Sequence, residues 1–109
     1  SLTRVDAPIL RISGELIGKP ASVFTSTGSL HGGQETTLLS MILPLIHHGM
    51  IWVGSPYSSP ELMRTTSGGT PYGVTHLAGA NSDRAIDDIE KQLAIAAGQH
   101  LAKIALKLI

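Results

Sequence analysis

The chain has no cysteine among its 109 residues, which excludes a disulfide framework, a thiol nucleophile and any cysteine zinc site. That absence is compatible with a reducing compartment, and a cytoplasmic setting is the expectation. Charge of one sign is lacking too. Eight basic residues balance eight acidic ones, and no block of like charge interrupts the chain, so neither a nucleic-acid module nor an acidic-lipid tail is indicated. Long apolar runs are missing: the most apolar window, Leu38 to Ile46, contains Ser40 and Pro44 and closes on His47 and His48. A spanning helix needs about 20 apolar residues, so no membrane span is expected. The opening Ser-Leu-Thr-Arg-Val-Asp lacks the charged start and apolar core of a signal peptide. No internal repeat and no low-complexity tract is visible.

What the chain does have is apolar residues at 42% against 15% charged, the composition of one core-forming globular domain over residues 1–109. Glycine and proline are enriched, with 12 and 6 copies, and the glycines crowd the middle. Specifically shaped loops are expected there. Ala21 to Thr25 reads as a buried strand, with Val23 and Phe24 as strand formers after the breaker pair Lys19-Pro20. Phe24 and Trp52 are expected in the core. Thr25 to Gly33 is a loop. A helix from about Gln34 to His48 follows, with Leu38, Leu39, Ile42, Leu45 and Ile46 at three- and four-residue spacings. Glu35 suits its first turn, Pro44 removes one donor, and Gly49 ends it.

A second strand spans Met50 to Gly54. Ser55 to Ser82 shows no convincing period; a connection that long is usually functional or an excursion over another subunit. A helix from about Asp87 to Leu108 closes the chain, its first turn acidic and its apolar face set by Ile89, Leu93, Ala97, Leu101, Ile104 and Leu108. The order predicts an α/β fold with a parallel sheet covered by helices.

The strand-to-helix loop Ser26 to Gly33 is the candidate site. It leaves the carboxyl end of a strand for a helix amino terminus, the crevice where open parallel sheets bind ligands. Free N–H groups and the dipole there favour an electron-rich group, and Gly28, Gly32 and Gly33 permit close approach of a flat ligand. A merely tight turn is the plainer alternative. His47 and His48 admit two readings, complementation of the helix dipole or an active-site polar group. Adjacent histidines diverge around a helix, so a metal site is not supported. His31-Gly32-Gly33 matches an esterase oxyanion segment, but without a G-x-S-x-G elbow a serine hydrolase is rejected. His76 and His100 read as surface or helix-face residues.

Four words in register carry a family resemblance: Ser22-Val-Phe-Thr-Ser-Thr-Gly-Ser-Leu-His-Gly-Gly-Gln-Glu35, His47-His-Gly-Met50, Gly68-Gly-Thr-Pro-Tyr-Gly73 and Leu77-Ala-Gly79. They closely resemble the flavodoxin-like NAD(P)H:quinone oxidoreductases of the Trp repressor-binding protein (WrbA) family. The resemblance covers most of Gly14 to Leu108. It implies a flavodoxin-like parallel sheet with helices on both faces, of which this chain resembles the carboxyl-terminal half. It further implies FMN bound non-covalently, NADH or NADPH as electron donor, and two-electron reduction of a quinone to the hydroquinone. Carried over by position, Ser26, Thr27, Gly28, Ser29, Leu30, His31 and Gly32 match the loop that holds the flavin ring, and His47 matches the flavin-site histidine. The Ser55 to Ser82 excursion corresponds to a segment that helps form tetramers with active sites near interfaces. Residues Ser1 to Ile12 match poorly, Arg11 falls where some relatives have an active-site tryptophan, and the phosphate-binding loop has no counterpart here.

The resemblance therefore implies a homo-oligomer or a complex with the missing amino-terminal half. A non-enzymatic interaction module built on a half-flavodoxin is the alternative. Two strands seldom make an independent sheet, so exposed apolar surface and an open pairing edge are expected.

Overall fold

A computed structural model describes residues 14–109; the poorly matching start and Arg11 lie outside the described residues. Seven elements follow in order: β1 (Pro20–Ala21), β2 (Phe24–Thr27), α1 (Gln34–His47), β3 (Ile51–Trp52), α2 (Glu61–Arg64), β4 (Val74–Leu77) and α3 (Asp88–Lys107). All pairing between them is parallel. β1 lies on β3 with Pro20 opposite Ile51 and Ala21 opposite Trp52, and β2 lies on β4 with Phe24 opposite Val74 through Thr27 opposite Leu77. Two strand lines thus run side by side. The first, residues 20–27, is nearly continuous. The second is cut, leaving the sheet after β3 and returning at β4.

The cut closes tightly. Val53 still donates to the Ala21 carbonyl at 2.8 Å, and Ser55 donates to the Pro71 carbonyl at 2.9 Å. The Trp52 and Tyr72 rings stack across the stem, centroids 6.2 Å apart, while Trp52 Nε1 donates to the Tyr72 carbonyl. A Cβ on Gly54 would lie 2.2 Å from the Pro71 carbonyl oxygen, a gap only glycine fits.

Helices cover the ribbon on both sides. α1 packs on β2 and β3, and α3 packs on β4 and β1. The core is Val23, Leu38 and Ile42, with Leu45 and Trp52 against them. Beyond Leu93, the apolar face of α3 is only half buried.

Helix boundaries match the sequence expectation within one or two residues. α1 runs on through Pro44, which stands in its last turn. The strands required correction. The expected strand Ala21–Thr25 is instead two short pieces, and Met50–Gly54 contracts to Ile51–Trp52. The stretch Ser55 to Ser82 contains α2 and β4, which no period announced. Phe24 is 75% exposed and not core. It faces a groove of about 410 Å³ between the first strand line and α3, floored by Val23, Ala94, Ala97, Gly98 and Leu101, which no described residue fills. Trp52 does pack against the core as expected.

Candidate functional site

Parallel strands bring their carboxyl ends to one end of the ribbon, so the loops after β2 and β4 meet there. Ala78 N–H donates to the Thr27 carbonyl at 2.8 Å, continuing the pairing one step past β4. A Cβ on Gly28 would stand 3.5 Å from the Gly79 carbonyl oxygen.

The first loop holds its own shape. Thr27 Oγ1 donates to the Ser29 carbonyl at 2.8 Å and accepts from Gln34 Nε2 at 2.9 Å. Gln34 is buried although polar, and its amide ties the strand end to the first residue of α1. Gly32 N–H turns back to the Ser29 carbonyl at 3.2 Å. A Cβ on Gly32 would meet Ser29 Oγ at 2.6 Å, which the exposed hydroxyl can relieve by rotating, and the Ser29 carbonyl oxygen at 3.3 Å, so the turn is tight at this position. Gly33 is the N-cap with φ of 93° and supplies no side-chain cap. The first-turn N–H groups of α1 therefore have no capping side chain, and such donors at a helix start favour negative or electron-rich atoms. Ser26, Gly28, Ser29, Leu30, His31 and Gly32 are exposed, and Thr27 is half-buried.

The structure does not bring His47 to this loop. The loop opens α1 and His47 closes it, 14 residues later; at about 1.5 Å per residue they stand roughly 20 Å apart. His47 is exposed. His48 is the buried one, capping α1 with its N–H on the Pro44 and Leu45 carbonyls at 3.2 and 3.1 Å. Its Nδ1 has no hydrogen-bond partner among the described residues.

Sequence reasoning missed a buried polar hub behind the second loop. Glu90, 3% exposed, accepts from the N–H groups of Gly68 and Leu77, each at 2.8 Å, and from Asp87 N–H at 3.1 Å. Arg84 Nη1 lies 3.0 Å from it, as does His76 Nδ1. His76, on β4, contacts the Arg84 carbonyl through its other nitrogen at 2.9 Å. Arg84 also pairs with Asp87 and donates to the Leu77 carbonyl at 2.7 Å. Asp87 and Glu90 form a reciprocal capping box on α3. The spacing Asp87-x-x-Glu90 was the available signal; it announces a helix start and not burial. His76 is thus half-buried, held through both ring nitrogens between Glu90 and the Arg84 carbonyl. Among the described residues no three His, Asp or Glu side chains group to hold a metal, and no helix is long and apolar enough to cross a membrane.

Hydrogen bonding sets the charge of this hub. Asp87 is held down at about 2, first by Glu90 N–H and then by the Ser67 hydroxyl. Burial pushes Glu90 up, but the N–H groups of Leu77 and Asp87, with His76 and Gly68, outweigh it and hold it at about 2. Unfolded, the two acids titrate near 3.8 and 4.5. A depressed folded value means stability that is complete above the unfolded value and lost as pH falls through the folded one. Stability should therefore decline from about pH 4.5 toward pH 2. Melting curves across that window should show a steep acid slope that Glu90→Gln flattens; an equally steep slope in the variant would remove Glu90 from the cause.

Fold and site define a class: a parallel α/β half-unit of flavodoxin type, with a glycine-rich loop entering a helix at the carboxyl end of its strands. No family model matches the chain. Curated proteins do. A protein named NAD(P)H dehydrogenase (quinone) from Chromohalobacter salexigens is 53% identical over 97 residues, covering 87% of this chain and 48% of the relative. One of the same name from Trichlorobacter lovleyi is 50% identical over 101 residues, covering 91% and 50%. A third, from Gluconacetobacter diazotrophicus, is 48% identical over 101 residues, covering 91% and 51%. The chain spans about half the length of the curated relatives it matches, and over that half its sequence is similar to theirs.

Proposed function

We propose that this chain supplies the flavin-ring loop of an FMN-dependent NAD(P)H:quinone oxidoreductase. The observation that carries the reading is the Ser26–Gly33 loop: a tight turn at Gly32, leading into a helix start with no side-chain cap. These features fit a flat, electron-rich ring. FMN, when bound, would accept hydride from NADH or NADPH and pass two electrons to a quinone.

The chain's own contribution is binding and orientation. Ser26, Thr27, Gly28, Ser29, Leu30, His31 and Gly32 would line the ring, with Thr27 and Gln34 fixing the loop so that its amides are set before the ligand arrives. Preset amide dipoles favour charge that develops beside them at no reorganisation cost. His47 stands too far away to join that loop within one chain, so a role at the flavin requires it to come from another copy. The enzyme reading is favoured over a bare interaction module because the relatives carry an oxidoreductase name.

The test is flavin content. Gly32→Val, made in the full-length protein, should purify with less than about a tenth of the wild-type flavin absorbance, a loss of roughly 1.4 kcal/mol or more. Melting should change little, since Gly32 is exposed. Undiminished flavin in that variant would refute the assignment of this loop.

A further inference from the structure

The loop after β4 is held from behind by the buried hub, and the hold runs on into the loop after β2. Both backbone groups of Leu77 are taken: its N–H donates to Glu90 at 2.8 Å, and its carbonyl accepts from Arg84 Nη1 at 2.7 Å. Ala78 is bonded on both sides as well. Its carbonyl accepts from the Arg84 N–H at 2.9 Å, and its own N–H donates to the Thr27 carbonyl at 2.8 Å. Thr27 Oγ1 in turn donates to the Ser29 carbonyl, the same oxygen that accepts from the Gly32 N–H. An unbroken line of hydrogen bonds thus joins Arg84 to the turn at Gly32.

Arg84 is itself fixed. Its Nη1 also lies 3.0 Å from Glu90, and its Nη2 pairs with Asp87. Both acids are held at about 2, so both are ionised at neutral pH. A planar guanidinium that meets two carboxylates and a carbonyl at once is set in one orientation, which a lysine ammonium would not be.

We infer that Arg84 is a positioning residue for the Ser26–Gly33 loop: its guanidinium and its N–H fix Leu77 and Ala78, and Ala78 fixes the Thr27 end of that loop. Arg84 acts only through these backbone groups. Without it the loop keeps every residue but samples more shapes, and a ligand must then supply the ordering on binding. The expected effect on cofactor affinity rests on reading the loop as the flavin cradle; the effect on the loop's shape does not.

Two variants of the full-length protein separate positioning from plain loss of stability. Arg84→Met keeps the aliphatic stem and loses the donors. Val53→Ala truncates a buried core side chain whose backbone partner, Ala21, precedes Thr27 by six residues, roughly 20 Å of strand. In the flavin-free proteins, Arg84→Met should quicken amide exchange at Ala78 and Gly32 by about tenfold, whereas Val53→Ala should leave Gly32 unchanged, because a loop amide exchanges by local opening. FMN titrated well below both melting temperatures should bind Arg84→Met about tenfold or more weakly, and Val53→Ala within about twofold of wild type. Should Arg84→Met fail to fold, Arg84→Lys, which keeps the charge and loses the fork, takes its place with the same readouts. Equal weakening in the two variants, or Gly32 exchange unchanged at the altered Arg84, would overturn the proposal. A wild type that binds no FMN, with Gly32 still quickened when Arg84 is replaced, keeps the positioning and sinks the cofactor reading. Wild-type FMN affinity in the Arg84 variant does the reverse.

Discussion

Glu90→Ala should cost about 3 kcal/mol or more and lower the melting temperature by more than roughly 10 °C. Few surface carboxylates approach that. Glu90 differs because it is buried and collects three backbone N–H groups, from Gly68, Leu77 and Asp87, together with Arg84 and His76. Truncation strands those donors in a site from which water is excluded, and each buried unsatisfied donor costs about 1–3 kcal/mol. Glu90→Gln keeps the shape but replaces an acceptor oxygen with a donor group, so it should fall between wild type and alanine. Calorimetry of the three proteins at neutral pH decides. An alanine variant melting within two or three degrees of wild type would mean that the hub carries no weight.

The second large effect is expected at Gly73, where the cut strand line resumes. A Cβ there would sit 2.3 Å from the Val23 carbonyl oxygen and 3.3 Å from its carbon. Both belong to backbone, so no side-chain rotation relieves the clash. Val23 is itself fixed in the core with Leu38 and Ile42. Gly73→Ala must therefore push the two strand lines apart, at about 1–3 kcal/mol, and amide exchange at Phe24 to Thr27 should quicken with the loss of pairing. Exchange as slow as in the wild type would show that the strands tolerate the methyl group.

The sequence made the helices legible and the strands much less so, for reasons visible in particular residues. α1 and α3 run 14 and 20 residues, long enough for a period to repeat. β1 and β3 have two residues each, too few for any alternation. β4 reads Val-Thr-His-Leu, and its most buried member is Thr75 at 1%. Thr75 is polar and buried because its hydroxyl accepts from Gly69 N–H, a need that hydropathy does not register. Phe24 misled in the other direction. A phenylalanine after a valine reads as core, yet the surface it should meet is not among the described residues.

The candidate loop was legible because its chemistry is local: glycines, a strand before it and a helix after it. His47 was legible as a residue and illegible as a position, since spacing along the chain does not say that a straight helix carries it away from the loop. The Glu90 hub gathers residues from 68 to 90 around one carboxylate, and only the folded ribbon places Gly68 and Leu77 on the same side chain.

The cut in the second strand line has a consequence for how such a chain can change over generations. Val53 and Gly73 stand on consecutive steps of one strand line, held by partners on the other. The sheet thus registers only where the excursion leaves and where it returns, and is indifferent to how many residues lie between. Closing a longer loop costs little, about 0.6 kcal/mol for each doubling of its length. Residues 56–60, outside the ties that Gly54, Gly68 and Tyr72 make, are therefore the part of this molecule where insertions and deletions can accumulate without shifting a single strand pair, and where related chains are free to differ in length while keeping the loop after β2 in place.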